Sequence, residues 1–217
     1  RKIYPGRKRK VWHSKLSANV QVYLLEAQPI TDRLYDTDFY IRIKQQMVLG
    51  IGGIRLLQKL NIYPSVYHLN EGHTAFAAMA LMVEKKDDIN KIVATKHTIL
   101  SEAGILINYT DFNNILEQYC SGFGVKVRDI FAKGKYEKNK DQFSSTKFLL
   151  NIATRKNGVS QLHVAYEKKK HSDSQLVVIT NGVYRQRWQV PELCNRPKTF
   201  SDEELLAVKK KLKLNLF

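Results

Sequence analysis

The chain is poor in the features that announce a simple class. It has only two cysteines in 217 residues, Cys120 and Cys194, far apart and without metal-type spacing. That excludes a disulfide-stapled small domain and a cysteine-built zinc site, and it fits free thiols in a reducing cytoplasm. Nowhere do about 18 apolar residues run together, so no transmembrane helix is expected. The basic opening stretch, residues 1–10, is followed by no apolar core of a secretory signal. Glycine and proline are modest and no internal repeat appears. Acidic residues are scarce: 20 against 36 lysines and arginines, for a net charge of +16.

Such an excess is the electrostatic footprint of a nucleic-acid binder. The lysines, however, fall in separate clusters at 1–10, 126–140, 168–170 and 209–213, and none is interleaved with aromatic residues as a stacking platform. Helix-turn-helix and zinc-finger spacings are missing. A basic nucleic-acid-binding α/β domain therefore stands only as an alternative, and a phosphorylated or polyanionic ligand is also compatible with the charge.

What is present is a composition of 43% hydrophobic and 26% charged residues, enough for a buried core. Residues 20–25 read as a strand with Val20, Val22 and Leu24 on one face. Residues 31–60 read as a long helical region interrupted by Gly50-Ile51-Gly52-Gly53, whose cost in a helix implies close approach of another backbone or a ligand. A buried strand is expected at 65–69, followed by a helix through 75–82. A second buried strand is expected at 92–95 and a third at 176–179. Between them, residues 105–120 read as loop plus helix and 122–142 as a polar surface excursion. A further helix opens at 148–152 and runs towards Leu162 and Tyr166. Ser201-Asp202-Glu203-Glu204 is a capping box that opens a last helix. Alternating strands and helices predict an α/β fold with a mostly parallel, Rossmann-like sheet.

Each expected strand ends in a polar cluster: Asn70-Glu71-Gly72-His73, Lys96-His97-Thr98 and Thr180-Asn181-Gly182. If the strands are parallel neighbours, the clusters meet at one sheet edge, where open α/β sheets bind ligands. His68 is expected to be a buried structural histidine, His163 a structural one, and His13 and His171 surface residues. A metal site built from His68, Glu71, His73 and His97 lacks a characteristic spacing.

These residues resemble the α-glucan (glycogen, maltodextrin) phosphorylase family, particularly its shorter bacterial and archaeal branch. The ordered segments are Thr31-Asp32-Arg33-Leu34-Tyr35, Arg42-Ile43-Lys44-Gln45-Gln46 and Leu49-Gly50-Ile51-Gly52-Gly53-Ile54-Arg55. His68-Leu69-Asn70-Glu71-Gly72-His73-Thr74-Ala75-Phe76 is the most specific. Thr95-Lys96-His97-Thr98, Asn157-Gly158-Val159-Ser160-Gln161-Leu162-His163 and Thr180-Asn181-Gly182-Val183 with Arg187-Trp188 follow in order. The departures are Asp36-Thr37 in place of Gly-Gly, Gln46 in place of Glu, and Ser101-Glu102-Ala103-Gly104.

The resemblance implies a two-domain B-type glycosyltransferase architecture. Residues 1–200 would be part of its glucan-side Rossmann-like domain, and residues 201–217 a helix leading to a second domain. It implies phosphorolysis of α-1,4-glucans to glucose 1-phosphate, with α-glucan or maltodextrin and phosphate as partners. Pyridoxal phosphate would sit on a lysine of the second domain. By the resemblance, His97 would contact the glucosyl unit, Asn70, Glu71 and His73 would line the same cleft, and Asn181 would end a strand at the domain junction. No residue here is expected to be catalytic by itself, to bind the cofactor or to hold a metal. The chain alone is expected to be inactive, with either a homo-oligomer or a second-domain partner completing it. A non-catalytic carbohydrate-binding or regulatory remnant of the family is the alternative.

Overall fold

The computed structural model describes residues 10–100, 104–170, 175–189 and 201–214. A hairpin opens it, β1 (Lys10–Lys15) pairing antiparallel with β2 (Gln21–Glu26). Helix α1 (Phe39–Met47) starts where the Asp38 carboxylate accepts the Ile41 N–H at 2.8 Å. It passes through a π-helical turn (Val48–Gly52) into α2 (Gly53–Lys59). Strand β3 (Tyr67–Asn70) then leads through a tight turn into α3 (Ala75–Glu84), and β4 (Ile92–Lys96) follows. A small antiparallel pair, β5 (Leu106–Asn108) and β6 (Gln142–Ser144), brackets α4 (Tyr109–Ser121) and α5 (Val127–Lys133). Next come α6 (Ser145–Ile152), β7 (Arg155–Gly158), α7 (Gln161–Lys170) and β8 (Val177–Val178).

The central sheet is parallel throughout, in the order β3-β4-β7-β8. Helix α3 is apolar on every side, so it can be satisfied only inside the fold. Phe76, Met79 and Leu81 are fully enclosed there. Of the three glycines of the preceding helix, Gly50 alone meets the expectation of a close backbone approach. A Cβ on Gly50 would lie 2.6 Å from the Phe76 carbonyl carbon, so only glycine lets the two helix backbones meet. Around α3 the core extends through Ile43, Ile51, Ile92, Phe112, Phe143 and Phe148.

Several expectations are corrected. The first helix begins at Phe39 rather than residue 31, because aspartates hold residues before it in a turn: Asp38 N–H donates to the Asp36 carboxylate at 2.8 Å. In β2, Leu24 is exposed and Leu25 turns inward. Strand β3 lies two residues later than expected at its start, leaving Val66 exposed. The stretch 122–142 is no mere surface excursion, since α5 buries Val127, Ile130 and Phe131. The helix expected to run from 148 towards 166 is two helices with β7 between them. Strand β8 has two residues and both are exposed, so the third buried strand is absent as expected there.

The chain divides into two compact units, the first ending at Thr180 and the second starting at Asn181. The second contains α8 (Arg185–Trp188) and α9 (Asp202–Leu214). Helix α9 opens on the expected capping box: Ser201 Oγ accepts the Glu204 N–H at 3.2 Å, and the Glu204 carboxylate accepts the Ser201 N–H at 3.1 Å. Cys120 is buried among apolar groups, which pushes its thiol up to about 11, so it is an inert core residue. Cys194 and His171 lie outside the described residues.

The glycine pair gives a direct test. Gly50→Ala should destabilise the chain by about 1–3 kcal/mol through overpacking. Gly53→Ala has nothing within 4 Å of its new methyl group. It should stabilise by about 0.4–1 kcal/mol through the unfolded state. Urea unfolding of both variants measures the contrast.

Candidate functional site

The parallel register aligns the carboxyl ends of the strands. Asn70 pairs with Thr95 and Thr95 with Asn157, so three polar residues cross β3, β4 and β7 in a row. The row is hydrogen bonded. Thr95 Oγ1 donates to Asn157 Oδ1 at 2.7 Å. A hydroxyl has one proton, so the 2.6 Å contact between Thr95 Oγ1 and His68 Nε2 is donated by the imidazole. His68 is thus an exposed residue bonded to Thr95 and not the buried histidine expected.

The segment Thr95-Lys96-His97-Thr98 is tied down at every residue. Thr95 is held as above. The Lys96 ammonium is buried and bonded to Glu167 Oε2 on α7 at 2.7 Å. The Glu71 carboxylate accepts the backbone N–H of His97, the N–H of Thr98 at 3.1 Å and the Thr98 hydroxyl at 3.3 Å. The His97 ring is exposed, and its Nε2–H donates to Asn70 Oδ1 at 2.7 Å. In a neutral ring that bond fixes the tautomer and leaves Nδ1 as the acceptor.

Glu71 carries the strain of this arrangement. Its φ of 65° with ψ of 170° is a conformation that belongs to glycine, costing about 1–3 kcal/mol elsewhere. Here it is over-determined. The Glu71 N–H donates to the Thr95 carbonyl at 2.9 Å, and its own carbonyl accepts from Thr74 N–H at 3.1 Å and Thr74 Oγ1 at 2.8 Å. Gly72 then lets the start of α6 come close, since a Cβ there would lie 3.2 Å from the Thr146 nitrogen.

Asn70, Glu71 and His97 are therefore brought into one bonded group. His73 is half-buried on the same turn, its ring 5.7 Å from that of Tyr35. Asn181 opens the second unit and is exposed there. His13 is on the surface, stacked on Tyr23. His163 is buried on α7, and its Nδ1 accepts the Val159 N–H at 3.4 Å. Burial holds its pKa below the ordinary imidazole value, against the opposing pull of Glu167.

Lys96 and Asn157 stand in the sequence only as members of motifs, with no role of their own, and Glu167 carries no motif signal at all. The Lys96–Glu167 pair spans 71 positions and so has no local signature. Among the described residues no group of three or more His, Cys, Asp or Glu side chains is arranged for a metal. Nor do these residues supply a cradle for pyridoxal phosphate. Lys96 is the buried lysine among those described, and its amine is committed to Glu167.

A parallel sheet with polar loops at the carboxyl ends of its strands defines a Rossmann-like α/β domain. Residues 3–174 match the model of the starch synthase catalytic domain family, and the chain belongs to that family. Relatives include a glycogen phosphorylase of Aquifex aeolicus, 29% identical over 88% of this chain and 31% of that protein. A maltodextrin phosphorylase of Thermococcus litoralis is 30% identical over 78% of this chain and 23% of that protein. The chain thus spans less than a third of the length of either relative. The fold matches the catalytic domain of starch synthase IV from Arabidopsis thaliana, bound to ADP and acarbose, with a TM-score of 0.61. That likeness is 16% identical and covers 96% of this chain and 46% of that one.

Two outcomes follow from the geometry. Glu71→Ala should leave the His97 and Thr98 amides unpaired and cost about 1–3 kcal/mol. Hydrogen exchange at those two amides should accelerate in Glu71→Ala and much less in Glu71→Gln. His163, with its folded-state pKa depressed, contributes stability that is complete above about pH 6.5 and is lost as pH falls through the folded-state value. His163→Gln should flatten that acid-side loss in melting temperature measured from pH 7 down to pH 5.

Proposed function

We propose that this chain forms the glucan side of the cleft of an α-glucan glycosyltransferase, and that its reaction is phosphorolysis of α-1,4-glucans to glucose 1-phosphate. The observation that carries this reading is the exposed His97 ring at the sheet's carboxyl edge, fixed through Nε2 to Asn70 and presenting Nδ1 as an acceptor. A sugar hydroxyl needs a partner of fixed direction, and an imidazole held at Nε2 provides one at Nδ1. Glu71 acts in this reading by positioning His97, since its oxygens are occupied by the 97–98 segment. His73 and Asn70 line the same turn, and Asn181 is carried by the phosphorylase resemblance alone.

The relatives support a glucan as substrate, since their names speak of glycogen, maltodextrin and starch. Glycosyl transfer develops positive charge on the sugar ring, and preorganised polar groups at its edge lower the cost of that charge. The pyridoxal phosphate implied by the phosphorylase resemblance would belong to a facing domain, and it would supply a phosphate group that acts on the substrate phosphate. The family match favours a second reading, in which the sugar donor is a nucleoside diphosphate sugar and the glucan is extended.

One assay separates the two. Full-length protein is given maltodextrin with inorganic phosphate, or maltodextrin with ADP-glucose. Release of glucose 1-phosphate supports phosphorolysis, glucan extension from ADP-glucose supports the second reading, and neither activity overturns both. In the active arm, His97→Ala should lower kcat/KM about tenfold to a hundredfold, the cost of one or two lost hydrogen bonds, without lowering the melting temperature. An unchanged kcat/KM would remove His97 from the site.

A further inference from the structure

The Lys96–Glu167 pair is the feature of the site that stability explains least. Both side chains are almost fully enclosed, at 7% and 4% exposure. Removing two charges from water is costly, and apolar residues of the same size often serve a fold as well or better. The arrangement is not even complete, because Glu167 Oε1 and, one turn earlier on α7, His163 Nε2 are buried without partners among the described residues. A pair kept on those terms needs a purpose other than stability.

Its place supplies one. Lys96 is the last residue of β4, opposite Gly158, so beyond it the strand ladder no longer holds the chain. Successive residues of an extended segment point to opposite sides. Fixing the Lys96 side chain inward on α7 therefore turns the His97 ring outward, where it is exposed and meets Asn70. Helix α7 is itself anchored to the end of β7: His163 accepts from Val159, and its ring would lie 3.4 Å from a Cβ on Gly158. The ion pair thus transmits the position of a rigid helix to the one residue that follows it.

We propose that Lys96 and Glu167 are positioning residues, a buried electrostatic tie that directs the His97 ring to Asn70 and through that bond sets its tautomer. The proposal rests on the reading of His97 as the glucan contact, but its primary test does not depend on activity. The full chain is labelled with 15N-histidine, and the His97 ring signals are assigned with His97→Gln. The wild-type ring should show a single Nε2–H tautomer. In the double variant K96M/E167L no charge is left unpaired, so the fold and melting temperature are kept. Its His97 ring should nevertheless average between tautomers, with kcat/KM on glucan reduced about tenfold or more, as expected for a misplaced group. K96R, which keeps the charge and the partner, should restore the Nε2–H signal. A double variant with wild-type ring signals overturns the proposal and leaves the pair a structural one. A double variant that unfolds overturns it too, because the pair would then be needed for the fold itself. A wild type with the fixed tautomer but no activity on any glucan would instead overturn the functional reading and leave the tie standing.

Discussion

The structure of the site depends on how the segment Thr95-Lys96-His97-Thr98 is held after its strand runs out. A loop leaving a parallel sheet has lost its ladder and would be mobile without other partners. Here every residue is taken up by a neighbouring element: Thr95 by β3 and β7, Lys96 by α7, His97 and Thr98 by the turn after β3. The strained backbone at Glu71 is tolerated because its N–H, carbonyl and carboxylate are all bonded. Strain of that kind persists only where its surroundings over-determine it, and it clusters at functional sites.

The core makes this possible at one remove. Helix α3 is apolar up to its last residue, Glu84, and sits where Gly50 allows the preceding helix to lie against its backbone. That contact, with α6 approaching Gly72, fixes the turn between β3 and α3 from both sides. The Glu71 carboxylate is therefore presented by packed helices and not by a free loop. The electrostatics follow the same division. Buried groups are paired or neutral, as with Lys96 and His163, while most of the lysines that give the chain its net charge of +16 lie outside the core.

Much of the frame was legible in the sequence. The all-apolar run at 75–82, the strand ending in Asn70-Glu71-Gly72-His73 and the capping box at Ser201 all follow local rules, and the structure keeps them. Strand β7 was not legible. Arg155-Lys156-Asn157-Gly158 has neither the apolar run nor the alternation of a central parallel strand. It is a strand because β4 offers it a ladder on one side and β8 on the other. The same reason hid α5, whose buried Ile130 and Phe131 lie amid lysines and glycines.

The sequence by itself determined that Asn70, Glu71 and the segment from Thr95 to Thr98 lie where strands end, because hydrophobic strands and polar clusters are properties of contiguous residues. It determined the likeness to glucan-active enzymes for the same reason, since motifs are read in order along the chain. The tertiary structure alone decided what those residues do to one another. Glu71 became a brace for His97, His68 moved from the core to an exposed ladder, and Lys96 found Glu167 across 71 positions of sequence. Contacts at such separations depend on register and helix placement, which are settled by packing and carry no local signature.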